Sequence, residues 1–270
     1  METVKSPEDI AKLEKNRIEG HPEMHKSQIT FKGNNNVLYC EGNVKLNGAK
    51  FTFNGHNSIV YLSSSMNSKY SFNLIIYNDS TFFIGRGGNM SSPININIQE
   101  NQNVILGSDV TISSRVNIRT ADIYPIYDNK TKQRINFAGS VFIGDHVWIG
   151  HLAYISRGSK VGSGAIVGNN SFIAPDARIP SNSLAVGNPA KVERSDVFYT
   201  EDFLAHNRAE ASLESKDYKS DVFIYEFVNQ ETLSMEKIDS ILKSLDVDSR
   251  LEFVQKLFVR NKRTNRFTIQ

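Results

Sequence analysis

Between Ile143 and Leu184 the chain divides into seven blocks of six without an insertion, and every block opens on a β-branched aliphatic residue: Ile143, Ile149, Ile155, Val161, Val167, Ile173 and Ile179. The second position is small in most blocks (Gly144, Gly150, Ser156, Gly162, Gly168, Ala174), and the fifth is small or β-branched from Val147 to Ser183. A period of six suits neither an α-helix nor an alternating strand. It suits a coil that turns a corner every six residues and buries one aliphatic side chain per side. Three sides make one rung of a triangular parallel β-helix, so Ile143 lies under Val161 and Val161 under Ile179. Each rung then buries its apolar residues only against the rungs above and below.

Three further hexads begin at Leu106, Ile112 and Ile118, after which residues 124–140 break the frame. Insertions leave a solenoid as loops on one face and often carry its binding site. From about residue 28 to 103 the chain is rich in Asn, Ser, Gly and β-formers, as in Ser58-Ile-Val-Tyr-Leu and Phe72-Asn-Leu-Ile-Ile-Tyr. These segments read as looser rungs of the same solenoid, and a separate β-sandwich is the alternative. The expected organisation is an N-terminal helix and linker over 1–27, an all-β solenoid over 28–195, and a small helical appendage over 196–270.

Ser6, Pro7 and the acids Glu8 and Asp9 signal a helix start, expected to run from 7 to 19. His21 and His25 follow it as surface linker residues, with no third ligand in view for a metal. Ser234 is placed to cap a helix bearing Ile238, Ile241 and Leu242, and Leu251, Val254 and Phe258 form a second apolar stripe. The two read as a hairpin resting on the prism or on a neighbouring subunit. The basic tail from Arg260 to Arg266 reads as a solvated helix end.

With 31 Lys+Arg against 29 Asp+Glu in 270 residues, no whole-chain field favours nucleic acid. Cys40 is the only cysteine, which excludes an internal disulfide and points to a reducing compartment. There is no signal-peptide core and no run of ~18 apolar residues. A cytoplasmic protein without an integral membrane segment is the expectation.

The hexads resemble the hexapeptide-repeat acyltransferases, and the resemblance implies a left-handed parallel β-helix, a coenzyme A thioester donor and a homotrimer with its sites between prisms. Gly187-Asn-Pro-Ala-Lys-Val-Glu-Arg matches the segment that closes the prism in that family. The match implies that Lys191 and Arg194 meet the phosphates of coenzyme A, with His151, Asn169 and Ala174 in the other donor-binding places. In Asp145-His-Val-Trp, Trp148 matches a tryptophan that flanks the acceptor and the thioester. An indole offers a flat apolar wall for a sugar face or a pantetheine arm.

Arg119-Thr-Ala-Asp-Ile-Tyr-Pro-Ile-Tyr-Asp is similar to the catalytic loop of sugar and capsular-polysaccharide O-acetyltransferases, with Arg119 and Asp122 as substrate-binding candidates. The family's catalytic histidine is here Tyr124. A phenol is about a thousandth ionised at neutral pH, whereas an imidazole is mostly free base. Either Tyr124 itself acts, on a substrate that needs less help, or the proton transfer falls to His146 or His151, which the blocks place on exposed positions near Trp148. The expected function is an acetyl-CoA-dependent O-acetyltransferase acting on a hydroxyl of a sugar or cell-surface polysaccharide precursor, without a metal. The rival is a silent β-helix that binds or assembles without turnover, because of Tyr124. A metal-dependent hydratase would need three placed histidines, and the regular rungs offer only His146 and His151.

Overall fold

The computed structural model describes residues 1–65, 69–202, 213, 215–261 and 263–270, and among these the chain is one continuous parallel β-helix with helices against one of its faces. Three sheets form the sides. The first stacks eight strands from Glu2–Val4 to Phe172–Ile173, the second eight from Arg17–Glu19 to Arg178–Ile179, and the third six from Asn89–Met90 to Ala190–Ser195. The segments before residue 103 are rungs of this solenoid rather than a sandwich, at a pitch of 22 residues in ladders such as Asn35–Asn57 and Asn73–Asn95. Once the hexads are regular the pitch is 18.

The interior repeats one motif. Ile29, Phe51, Leu74, Ile96, Ile118, Ile155 and Ile173 pair in succession along the first sheet, each buried, so the aliphatic residues of successive rungs stack on one another. The small second position follows from rung spacing: a Cβ on Gly144 would lie 2.5 Å from the Ser163 nitrogen. Position four has its own rule. His146, Leu152, Gly158, Gly164, Asn170, Asp176 and Asn182 all adopt left-handed backbone, with φ from 50° to 73°. Gly, Asn and Asp enter that region easily, and Leu152 at φ 61° is the costly member.

Two expectations at the N-terminus are corrected. The helix foreseen over 7–19 is a single 3-10 stretch, Pro7–Lys12, whose Ser6 and Asp9 form a capping box, while Arg17–Glu19 already pairs with Val37–Tyr39 as a strand. Backbone pairing with the next rung outweighs local helix propensity there, and the solenoid starts before residue 28.

The second sheet is apolar on both faces. Its outward residues Val37, Ile59, Tyr61, Phe83, Ile105 and Phe142 form a second buried cluster with Ile238, Leu242, Leu251, Val254, Phe258 and Phe267. They are covered by helices Met235–Ser244 and Val247–Val254, the first capped by Ser234 as expected and the second by Asp246. Phe83 lies at the centre, its ring 4.8 Å from Phe258 and 5.4 Å from Tyr61. Phe83→Ala is expected to cost about 3–5 kcal/mol in urea unfolding and to expose the helices to protease before the prism.

Glu236, in the first turn of the first helix, ties it to Lys160 and Arg178 at 2.8 Å each. Lys160 above all holds this carboxyl at about 2 rather than the usual 4.5. The folded value is the depressed one, so this docking contribution is complete above about pH 4.5 and is lost as the pH falls towards 2. Amide exchange in helix Met235–Ser244 should therefore accelerate over that range in the native protein. The Glu236→Gln variant should lose most of that acid dependence.

Candidate active site

The three groups of candidate residues fall in two places. Residues 120–140 bridge a first-sheet strand, Asn117–Arg119, and a second-sheet strand, Val141–Ile143, so Tyr124 and Asp122 project from that corner. His151 lies at the corner between the third-sheet strand Trp148–Ile149 and the first-sheet strand Tyr154–Ile155. Within one chain the first sheet separates the loop from Trp148 and His151.

The loop is held from below. Asp122 Oδ2 accepts from Asn136 Nδ2 at 2.9 Å and from Arg157 Nε at 3.3 Å, and Arg157 also donates to the Phe137 carbonyl. Arg134 fixes the far end through a two-pronged pair with Glu100, at 2.8 and 3.0 Å. Arg119 is half-buried on its strand opposite Asn97. Tyr124 is 77% exposed, and Ile123, Ile126, Tyr127, Ile135 and Phe137 stand exposed around it.

The third sheet gathers the rest. Trp148 pairs with Ile166, Ile166 with Leu184, and Leu184 with Arg194, and directly opposed residues share a face. A register shift beside Leu184 and Ala185 brings Lys191 opposite Val186, two residues from Leu184. Lys191 and Arg194, three apart in sequence, thus lie on one face, and it is the outward face that carries Trp148. Three strand spacings separate the indole from Arg194, roughly 14 Å of backbone.

His151 is half-buried beside this face. Its Nδ1 lies 2.8 Å from Ser114 Oγ, and its backbone N–H donates to Asn169 Oδ1 at 2.8 Å. Trp148 Nε1 donates to Ser113 Oγ at 3.3 Å, and the indole is 38% exposed. Ala174 is half-buried at the next corner along, where its carbonyl accepts from Ser159 Oγ, away from this group.

His146 departs from the sequence reading. It is buried at 3%, its imidazole stacked between Tyr199 at 4.2 Å and Phe223 at 4.0 Å, with Nε2 2.9 Å from the Tyr199 carbonyl. The segment following the prism folds back over this corner, and the ring packs there instead of facing solvent. Tyr199 also flanks Trp148, ring to ring at 5.7 Å. Burial pushes the Tyr199 hydroxyl up, so it stays neutral. Cys40 is no nucleophile either, because burial pushes its thiol up to about 12.

Arg266, expected in a solvated tail, is buried. It donates from Nε and Nη2 to both oxygens of Asp145 at 2.8 and 2.7 Å, and from Nη1 to the Phe258 and Asn261 carbonyls. It fastens the C-terminal segment to the block that carries His146 and Trp148. Ser113, Ser114, Tyr199 and Arg266 were not singled out from sequence. The serines become legible once the insertion is counted, since residue 114 stacks under 151 at a step of 37. Nothing comparable marks Tyr199 or Arg266.

No helix among the described residues is long and apolar enough to cross a membrane. Among the same residues no three His, Cys, Asp or Glu side chains gather where they could hold a metal ion.

Comparison with known proteins gives the following. The bacterial transferase hexapeptide family (six repeats) matches residues 140–180. A polysialic acid O-acetyltransferase of Escherichia coli O1:K1 / APEC is 42% identical over 81 residues, which is 30% of this chain and 26% of that protein. The match thus spans about a quarter of that relative's length. The crystal structure of the polySia specific acetyltransferase NeuO is similar at a TM-score of 0.63 and 28% identity, covering 74% of this chain and 87% of that one. The polysialic acid O-acetyltransferase OatWY shares the fold, with a TM-score of 0.59 at 22% identity, covering 74% of this chain and 94% of that one.

Arg266→Met would strand the Asp145 carboxylate in a buried setting, at an expected cost of about 3–5 kcal/mol in chemical unfolding. A double variant with Asp145→Asn should recover part of that loss.

Proposed function

We propose that this chain, whose residues 140–180 match the bacterial transferase hexapeptide family and whose fold resembles that of a polysialic acid acetyltransferase, transfers an acetyl group from acetyl-CoA to a hydroxyl of a polysaccharide or its sugar precursor. The observation that carries this reading is the outward face of the third sheet, where Trp148, Ile166, Leu184 and Arg194 stand in one row with Lys191 beside it. An extended thioester fits such a row, with its phosphates at the two cations and its acyl end at the indole. Guanidinium and ammonium groups suit phosphate as bidentate and point partners, respectively. Asn169, at the adjoining corner, is a donor-side contact, Ala174 lies a corner away from that row, and Arg119 and Asp122 hold the acceptor. The polysialic acid acetyltransferases among the relatives support a polyhydroxylated polymer as the acceptor class.

The site is completed by a second copy. The exposed apolar loop around Tyr124 and the Trp148 face lie on different sides of one prism, so a loop reaches such a face on a neighbouring subunit. A closed homotrimer satisfies every loop in this way. Tyr124 in the loop orients the acceptor. Its exposed hydroxyl, standing where the family has an imidazole, also favours the second reading of a module that binds donor and glycan without turnover.

Calorimetry with acetyl-CoA, followed by thiol release with candidate polysaccharides, tests the two together. Lys191→Ala and Arg194→Ala are each expected to weaken acetyl-CoA binding roughly ten-fold, and the binding should soften with salt. Binding that ignores both substitutions removes the donor site, and binding without turnover by any acceptor leaves the silent module.

A further inference from the structure

Acyl transfer to a hydroxyl needs a proton acceptor, and the loop offers a phenol. Of the two histidines on the regular rungs, His146 is sandwiched between two rings with its Nε2 at a carbonyl. The His151 ring has one recorded partner, Ser114 Oγ at Nδ1, and its Nε2 has none among the described residues. Its main chain is fixed from both neighbouring rungs: the N–H donates to Asn169 Oδ1, the carbonyl accepts from Asn170, and Leu152 N–H donates to the Ser114 carbonyl. All of these groups are neutral. Leu152, held at φ 61° and 43% exposed, is a bulky side chain at a left-handed corner position, a strain of the kind that gathers at working sites.

The serines act as a pair. Ser113 accepts from Trp148 Nε1 and the adjacent Ser114 meets His151 Nδ1, so consecutive hydroxyls on one rung fix two rings three residues apart on the next. An imidazolium donates from both nitrogens. The Ser114 contact therefore survives protonation without rearrangement only if the serine oxygen accepts from Nδ1–H, and that tautomer leaves the Nε2 lone pair free.

We propose that His151 is the proton acceptor of this acetyltransferase, with Ser114 as the positioning residue that fixes its tautomer and Ser113 as the one that fixes Trp148 beside it. This rests on the transferase reading above and supplies the base that Tyr124 does not. The Nε2 atom takes the acceptor hydroxyl's proton as that oxygen bonds to the thioester carbonyl carbon. The carbon–sulfur bond breaks, and Nε2–H returns the proton to the departing sulfur, giving the ester, the free thiol and a neutral imidazole.

The test is thiol release from acetyl-CoA as a function of pH, with a polysaccharide or water as acceptor, combined with nitrogen NMR of the His151 ring. His151→Gln is expected to lower turnover by about 10²–10⁴-fold and to abolish the acidic limb of the pH profile. Ser114→Ala should lower turnover about two- to ten-fold with a displaced limb, and Ser114→Thr should restore it. The ring should carry its proton on Nδ1 in the native protein and on both nitrogens in exchange in Ser114→Ala. An active native enzyme whose His151→Gln and Ser114→Ala variants keep its turnover and pH profile overturns the assignment, as does a native ring protonated on Nε2. A native protein that binds acetyl-CoA but releases no thiol with any acceptor sinks the transferase reading itself, and the proton transfer with it.

Discussion

Backbone hydrogen bonding between successive rungs sets where every side chain in this molecule can go. Each N–H reaches the carbonyl of the next rung, and the inner aliphatic ladder closes only if every rung keeps the same pitch. The insertion shows how rigid that rule is. It lengthens one rung from 18 residues to a step of 37, yet Val104–Val141 and Thr111–Trp148 remain paired as if nothing had intervened. All the extra chain is expelled at one corner. The candidate site inherits its precision from the same rule, since Ser113 and Ser114 meet Trp148 and His151 because of rung register and not because of any local motif.

The fold was legible in the sequence where the period was strict. Seven Ile or Val residues at six-residue steps announce three sides per rung, and the structure places all seven in the core. The looser rungs before residue 103 could be read as solenoid but not assigned a pitch, because four additional residues per rung blur any hexad. The helix expected over 7–19 failed for a physical reason: the cap at Ser6 is genuine, but Arg17–Glu19 gains more from a waiting strand edge than from one more helical turn.

The candidate site was legible by halves. Trp148, His151 and Asn169 lie on one side and its adjoining corner, a placement that the hexad frame contains implicitly. That Lys191 and Arg194 share a face needs the strand irregularity near Ala185, which no spacing rule reveals. His146 was misread as exposed because its cover, Tyr199 and Phe223, comes from a segment beyond the repeat. A further signal lay unused in Ile59-Val-Tyr-Leu and Thr81-Phe-Phe-Ile. Strands apolar at consecutive positions are buried on both faces, and they mark the side of the prism that the later helices cover.

The Asp145–Arg266 pair has a consequence for how the molecule is made. The two residues are 121 positions apart, and a chain emerging at about 5–20 residues per second leaves the acid waiting for roughly 6–24 s before its partner exists. A solenoid can wind up rung by rung during synthesis, but this corner cannot be locked in that order. Until the distal segment arrives, the nascent prism holds Asp145 beside the future Trp148 face by the Ser108 N–H alone and without its guanidinium partner, so that corner is completed late on the ribosome's clock.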